Sequence, residues 1–269
     1  MIKRRKPSTP TAQTAPSHWR TAAGAAAIGA IAALIAFAPA AWLAQGVQAA
    51  TNGHVLLADA QGSVWRGSAQ LFLTGGQGTQ DAASLPGRMH WRLAPSLSGA
   101  RMQLELPCCA KQPVQLAITP GWQRAGVLVN APAINLPAQW LAGLGAPWNT
   151  LDPRGQLTLS APDLQVDWAA GRVALKGNAQ LDLLDMSSRL STLSPLGDYR
   201  LQLSGGDVPA LNLQTLQGAL QLSGSGQFVG SRIRFSGEAS AAQGSEAALG
   251  NVLNINGRRQ GAKSLISLG

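Results

Sequence analysis

The acids closest to forming a chemical pair in this chain are Asp163 with Asp167, and Asp182 with Asp185. At even spacing Asp163 and Asp167 share one face of a strand, whereas the odd spacing of Asp182 and Asp185 puts them on opposite faces. Carboxylates that exchange protons with a substrate usually converge from separate elements across a cleft, and nothing else of a site surrounds these four. They read as solvated charges on wet strand faces. The histidines His18, His54 and His90 lie far apart, none at metal-ligand spacing from another His or from Cys. His90, beside Trp91, reads as a half-buried surface residue. There is no G-x-S-x-G nucleophile elbow. Gly75-Gly76-Gln77-Gly78 lacks the following Lys-Ser/Thr of a phosphate-cradling loop and reads as a flexible turn. The expectation is a chain without catalytic residues, metal or cofactor, and not an enzyme.

The two cysteines, Cys108 and Cys109, are adjacent. Neighbours on a strand point to opposite faces, so both cannot join one core. Three readings stay open: two small apolar residues at a strand end, a vicinal disulfide closing a small strained ring, or a bridge to a partner in an oxidising compartment.

The elements that would carry these residues follow mostly a period of two. Apolar and polar residues alternate in Val64–Leu71, Met89–Leu93, Arg101–Leu106, Val114–Ile118 and Gln156–Leu159. The pattern returns in Arg172–Leu175, Gln180–Leu183, Tyr199–Leu203, Leu211–Leu213, Ala219–Leu222 and Arg232–Phe235. Such strands have one greasy and one wet face. Gly75-Gly76, Pro86-Gly87, Pro120-Gly121 and Gly205-Gly206 punctuate them as hairpins require. Two segments have helical spacing: Pro137–Leu144, with Pro first, and Ser245–Leu253, with Ser245 as a cap. The expected fold is mainly β, an extended and curled antiparallel sheet with two short helices.

Ahead of the strands, Thr21–Leu43 is built largely of Ala, Ile, Leu, Phe and Gly without a charge, and Lys3, Arg4, Arg5, Lys6 and Arg20 precede it. About 20 apolar residues cross a bilayer, and basic flanks stay cytoplasmic. Trp19 and Trp42 near the ends suit the headgroup layers. A cleaved signal peptide also has a basic start, with cleavable small residues at Ala38-Pro39-Ala40 and Val47-Gln48-Ala49. The length of the apolar run favours an uncleaved anchor. The expected organisation is a cytoplasmic tail over 1–20, a transmembrane helix over 21–43 and a β-rich domain over 51–269, with a subdivision near 147–154. If the source is a Gram-negative cell, the domain then faces the periplasm and the chain resides in the inner membrane.

The net charge is +9, but five of the 21 basic residues precede the apolar segment, leaving 16 against 12 acids, or +4. No basic cluster is interleaved with aromatics as a phosphate-binding surface needs. Nucleic acid is not an expected partner.

Three segments carry a family likeness. The first is Gly62-Ser63-Val64-Trp65-Arg66-Gly67-Ser68-Ala69. The second is Leu136-Pro137, then Trp140-Leu141-Ala142-Gly143-Leu144-Gly145, then Gly155-Gln156-Leu157-Thr158-Leu159. The third joins Phe235-Ser236-Gly237-Glu238-Ala239 to Gly244–Leu249 and to Leu253–Gly261, with Gly257, Arg258 and Arg259. With a single N-terminal anchor, these resemble protein N of the bacterial type II secretion system. The resemblance implies a non-catalytic inner-membrane component, in contact with other subunits of that system, that supports export of folded periplasmic proteins. Gly62, Trp65, Gly67, Leu141, Gly143, Gly155, Gly237, Leu249, Gly257, Arg258 and Arg259 would be its motif residues, serving structure or partner contact. Anchored β-rich periplasmic proteins of AsmA type look similar in architecture, so a groove that handles lipid is the alternative.

Overall fold

The structure is a computed structural model that describes residues 19–122, 124–169, 172–229, 232–255, 258–261 and 263–268. The expected tail over 1–20 falls almost wholly outside them. The chain forms two compact units, Met1–Ala38 and Pro39–Gly269. The first contains α1 (Trp19–Ala36), with Ile28, Ile31, Leu34 and Ile35 exposed and no polar face along its described length. Among the described residues no helix is long and apolar enough to cross a membrane.

The stretch 21–43 is not one helix. Proline has no N–H to donate and disfavours helical geometry in the residue before it, so the helix stops ahead of Pro39. A second helix, α2 (Ala40–Ala50), starts after it and belongs to the second unit. Its Ala40, Leu43, Ala44 and Val47 pack with Leu57, Ala69, Met89 and Trp91.

The second unit is one antiparallel sheet of 15 strands. It begins with β1 (Val55–Gly62), β2 (Arg66–Thr74), the short β3 (Ala82–Ser84) that pairs beside β2, and β4 (Met89–Ser96). It continues through β5 (Gly99–Glu105), β6 (Val114–Gly121), β7 (Arg124–Pro137), β8 (Arg154–Ala169) and β9 (Arg172–Ser187). Next come β10 (Gly197–Gly206), β11 (Ala210–Gly218), β12 (Leu220–Val229) and β13 (Arg232–Ala241). The last strands are β14 (Arg258–Gln260) and β15 (Lys263–Leu268), with β15 between β13 and β14. Apart from that exchange and β3, each strand pairs with its neighbour in sequence, across 147–154 without interruption.

The expected curl is corrected by this topology. The path is open, with β1 at one end and β14 at the other and no pairing between them. Apolar residues are buried without closure because other elements cover them. At the β1 end α2 does so. In the middle, the segment around Cys109 and Ala110 packs with Leu85, Val114, Ala131, Ile134 and Ala161. Toward β13 the cover is α4 (Glu246–Ile255), whose Leu249, Val252 and Leu253 pack with Leu157, Leu196, Tyr199, Leu220 and Ala239. Both segments with helical spacing wind up: Ala138–Leu144 as a 3-10 helix and Glu246–Ile255 as α4. A one-turn helix, α3 (Trp148–Leu151), follows the former.

Candidate functional site

The first motif forms the β1–β2 turn. The Ser63 N–H donates to the Arg66 carbonyl at 2.8 Å, and the Arg66 N–H donates to Ser63 Oγ at 3.2 Å. Gly62 has φ +89°, and a Cβ there would lie 2.5 Å from the Arg66 oxygen, so the turn demands glycine. Gly67 pairs with Trp91 across β2 and β4. The Trp91 indole lies where a Gly67 side chain would be, and the Gln61 oxygen is 2.7 Å from the same point. Trp91 is 1% exposed and its Nε1–H donates to the Val64 carbonyl at 3.1 Å. The motif therefore holds the indole of a residue outside it.

This corrects the strand expected over Val64–Leu71. Pairing as a strand starts at Arg66, and Trp65 sits half-buried in the turn, its carbonyl accepting from the Leu93 N–H at 2.7 Å. Sequence spacing had put Trp91 beside His90 only as a strand residue. Its pairing with Gly67, two strands away in sequence, is a matter of register, which composition does not reveal.

The second motif packs backbone on backbone. A Cβ on Gly143 would meet the Leu73 oxygen and lie 2.7 Å from the Ala83 nitrogen, so the 3-10 helix presses directly onto β2 and β3. Leu141 is half-buried against the cluster under α4. Gly155, at φ +130°, sits in a register shift between β8 and β9, 2.6 Å from the Leu184 oxygen at its missing Cβ. In the third motif, Gly237 pairs with Gly224, and their absent side chains leave room for the Phe235 ring. An aromatic covering strand glycines restores packing that glycine lacks. Leu249 is fully buried on α4. Arg258 and Arg259 lie in β14, opposite Leu265 and Ser264, beyond α4. Gly257 lies outside the described residues.

The carboxylates do not converge. Asp182 accepts from Arg200 on the neighbouring strand, Nε to Oδ1 at 2.7 Å and Nη2 to Oδ2 at 3.0 Å, with Gln180 Nε2 also donating at 3.0 Å. These bonds, led by those from Arg200, hold its carboxyl below the usual aspartate value. Asp163 (φ +55°) and Asp185 (φ +51°) adopt left-handed backbone where β8 and β9 shift register. Asp59 (φ +48°) does the same in β1. Aspartate tolerates that region better than most residues, so these acids build β-bulges. Asp167 accepts from Gln165 Nε2 at 2.8 Å. Among the described residues no group of three His, Cys, Asp or Glu is placed to hold a metal. His54 Nδ1 lies 3.1 Å from the Thr74 carbonyl.

Cys108 and Cys109 are bonded to each other. This is the vicinal bridge among the three readings, and Cys109 is buried while Cys108 faces outward.

Two hollows on the sheet have linings divided about evenly between polar and apolar surface. One includes Arg66, Ser68, His90, Arg92 and Glu105. The other includes Ser160, Asn178, Gln180, Gln202 and Ser204.

A family model described as type II secretion system (T2SS), protein N matches residues 53–265. No curated protein and no solved structure matches the chain.

Proposed function

This chain belongs to the type II secretion system protein N family, and from that premise we propose that it is a non-catalytic inner-membrane part of the secretion machinery. Membership makes it a component of the type II system, whose other subunits are its partners. The observation that carries the reading is the extent of the match, which takes in the whole sheet from β1 into β15. The finer reading adds an anchor and a location. From Thr21 onward α1 carries no charge, and its large side chains Ile28, Ile31, Leu34 and Ile35 are exposed, which suits an apolar surrounding, while the basic residues at and ahead of its start favour a cytoplasmic start. The sheet would then stand in the periplasm and assist export of folded proteins, with its glycine motifs shaping the fold and its surface meeting other subunits.

Deletion of the gene is expected to leave exoproteins in the periplasm at unchanged rates of synthesis, measured by fractionation and immunoblotting. An intact secretion profile, together with phospholipid co-purifying with the protein, would overturn this reading in favour of lipid handling.

A further inference from the structure

The order of pairing puts particular turns at one end of the sheet. In an antiparallel run every second turn lies on the same side. The turns β4–β5, β6–β7, β8–β9, β10–β11 and β12–β13 therefore share one end with the β1–β2 turn. The cysteine segment, the 3-10 helix and the start of α4 lie at the other end.

That first end carries apolar side chains where turns are ordinarily polar. Leu97 in β4–β5 is fully exposed, and Trp122 in β6–β7 is 95% exposed. Trp168 beside the β8–β9 turn and Val208 in the β10–β11 turn are also exposed. Register brings them to a common level along the strands. Ala100 pairs with Ile118, and Arg124 with Ala169. Gly206 lies opposite Leu175, so Val208 reaches the level of Val173, the partner of Trp168. Successive turns are two strands apart, roughly 10 Å. The apolar groups thus form a spaced row, unlike the single compact cluster typical of a protein hot spot.

Two further observations identify what the row meets. Arg101, Arg124, Arg172 and Arg232 lie at this end against Asp167 and Asp207, an excess of positive charge. The chain also enters the second unit here, since Pro39 bridges to Ser63 in the β1–β2 turn. Ala38, the preceding residue, is the last of the unit that contains α1. Tryptophan favours the headgroup layer, and arginine favours anionic lipid.

We propose that this hairpin end docks on the surface of the bilayer that holds α1, with Trp122 and Trp168 among anionic lipid headgroups. The inference rests on the anchored reading above. Docking at several turns would keep the sheet standing on the membrane, its strands directed away from the surface.

The test uses the full chain reconstituted into vesicles of phosphatidylethanolamine and phosphatidylglycerol with brominated acyl chains. Vesicle flotation and tryptophan quenching are read together. Trp122→Ala and the double variant with Trp168→Ala are expected to float as wild type does and to lose quenchable emission, while the emission bromine does not reach stays the same. Replacing phosphatidylglycerol by phosphatidylcholine is expected to reduce quenching in the wild type by more than in the double variant. Strand circular dichroism checks that each variant is folded, and Leu97→Ser, with all eight tryptophans retained, should weaken quenching without altering the fluorophores. Flotation with identical quenchable emission in wild type and variants overturns the docking alone, and assigns the row to a protein partner. Failure of the wild type to float overturns the anchor and the docking with it.

Discussion

At the scale of single residues, backbone geometry explains side chains that sequence spacing left as bare charges. Asp163 and Asp185 have positive φ at register shifts. Asp163→Asn should therefore be nearly neutral in urea unfolding, because asparagine also tolerates left-handed backbone. Asp163→Val should cost about 1–3 kcal/mol, the range for a strained backbone residue. Trp91→Ala, which empties the pocket over Gly67, should cost about 3–5 kcal/mol, more than Trp65→Ala in its half-buried turn. The Asp182–Arg200 pair gives a signed dependence on pH. A carboxyl held below its ordinary 3.8 stabilises the fold above that value and ceases to do so as pH falls through its depressed folded value. The stability gap between wild type and Asp182→Asn, measured by denaturant unfolding, should narrow under strong acid. Tyr199 carries the opposite sign: burial first, then the Asp198 charge, push its phenol up. Its contribution holds below the ordinary tyrosine value of 10.0 and is lost at higher alkaline pH.

Elements differ in how openly the sequence announces them. Strands such as β5, β6 and β10 show clean alternation over stretches that pair in register, and a face that must be buried fixes that register. The first strand does not, because the bulge at Asp59 shifts the pairing between Ala58 and Gln61 and breaks the period. Helix α2 was hidden by its neighbour: an Ala-rich run that continues past α1 reads as one span, although Pro39 marked the break. β14 has only three residues, too few for any periodic signal. Of the motif residues, the glycines were visible as glycines, but the reason for Gly67 depends on Trp91, a partner that only pairing supplies. The cover of helix over sheet yields a test. Leu249→Ala on α4 should cost about 2–5 kcal/mol by thermal or urea unfolding, whereas substitution of the exposed Leu216 on β11 should cost under about 0.5 kcal/mol.

For the molecule as a whole, two units of different surface character share one chain. The first shows apolar side chains on all described sides; the second shows ion pairs such as Arg88 with Asp59 and Lys263 with Glu238 on its surface. On the anchored reading, a reporter active only in the periplasm should work when fused after Gly269 and fail when fused after Arg20. A soluble, shortened product beginning near Ala41 or Ala50 would instead indicate cleavage.

The meander also has a bearing on how such a chain is made. Strands β5 to β13 each pair with the strand delivered just before, so every one of these pairings is local in sequence. A sheet region delivered from its N-terminal side onward can then add strands one at a time to a growing edge, without waiting for its far end. Low separation between pairing segments favours rapid assembly. The final hairpin departs from this rule, as β3 does near the start: β15 must slip in between β13 and β14. Its arrival, with α4 folding over the sheet, completes the molecule and covers the last apolar patch left open during delivery.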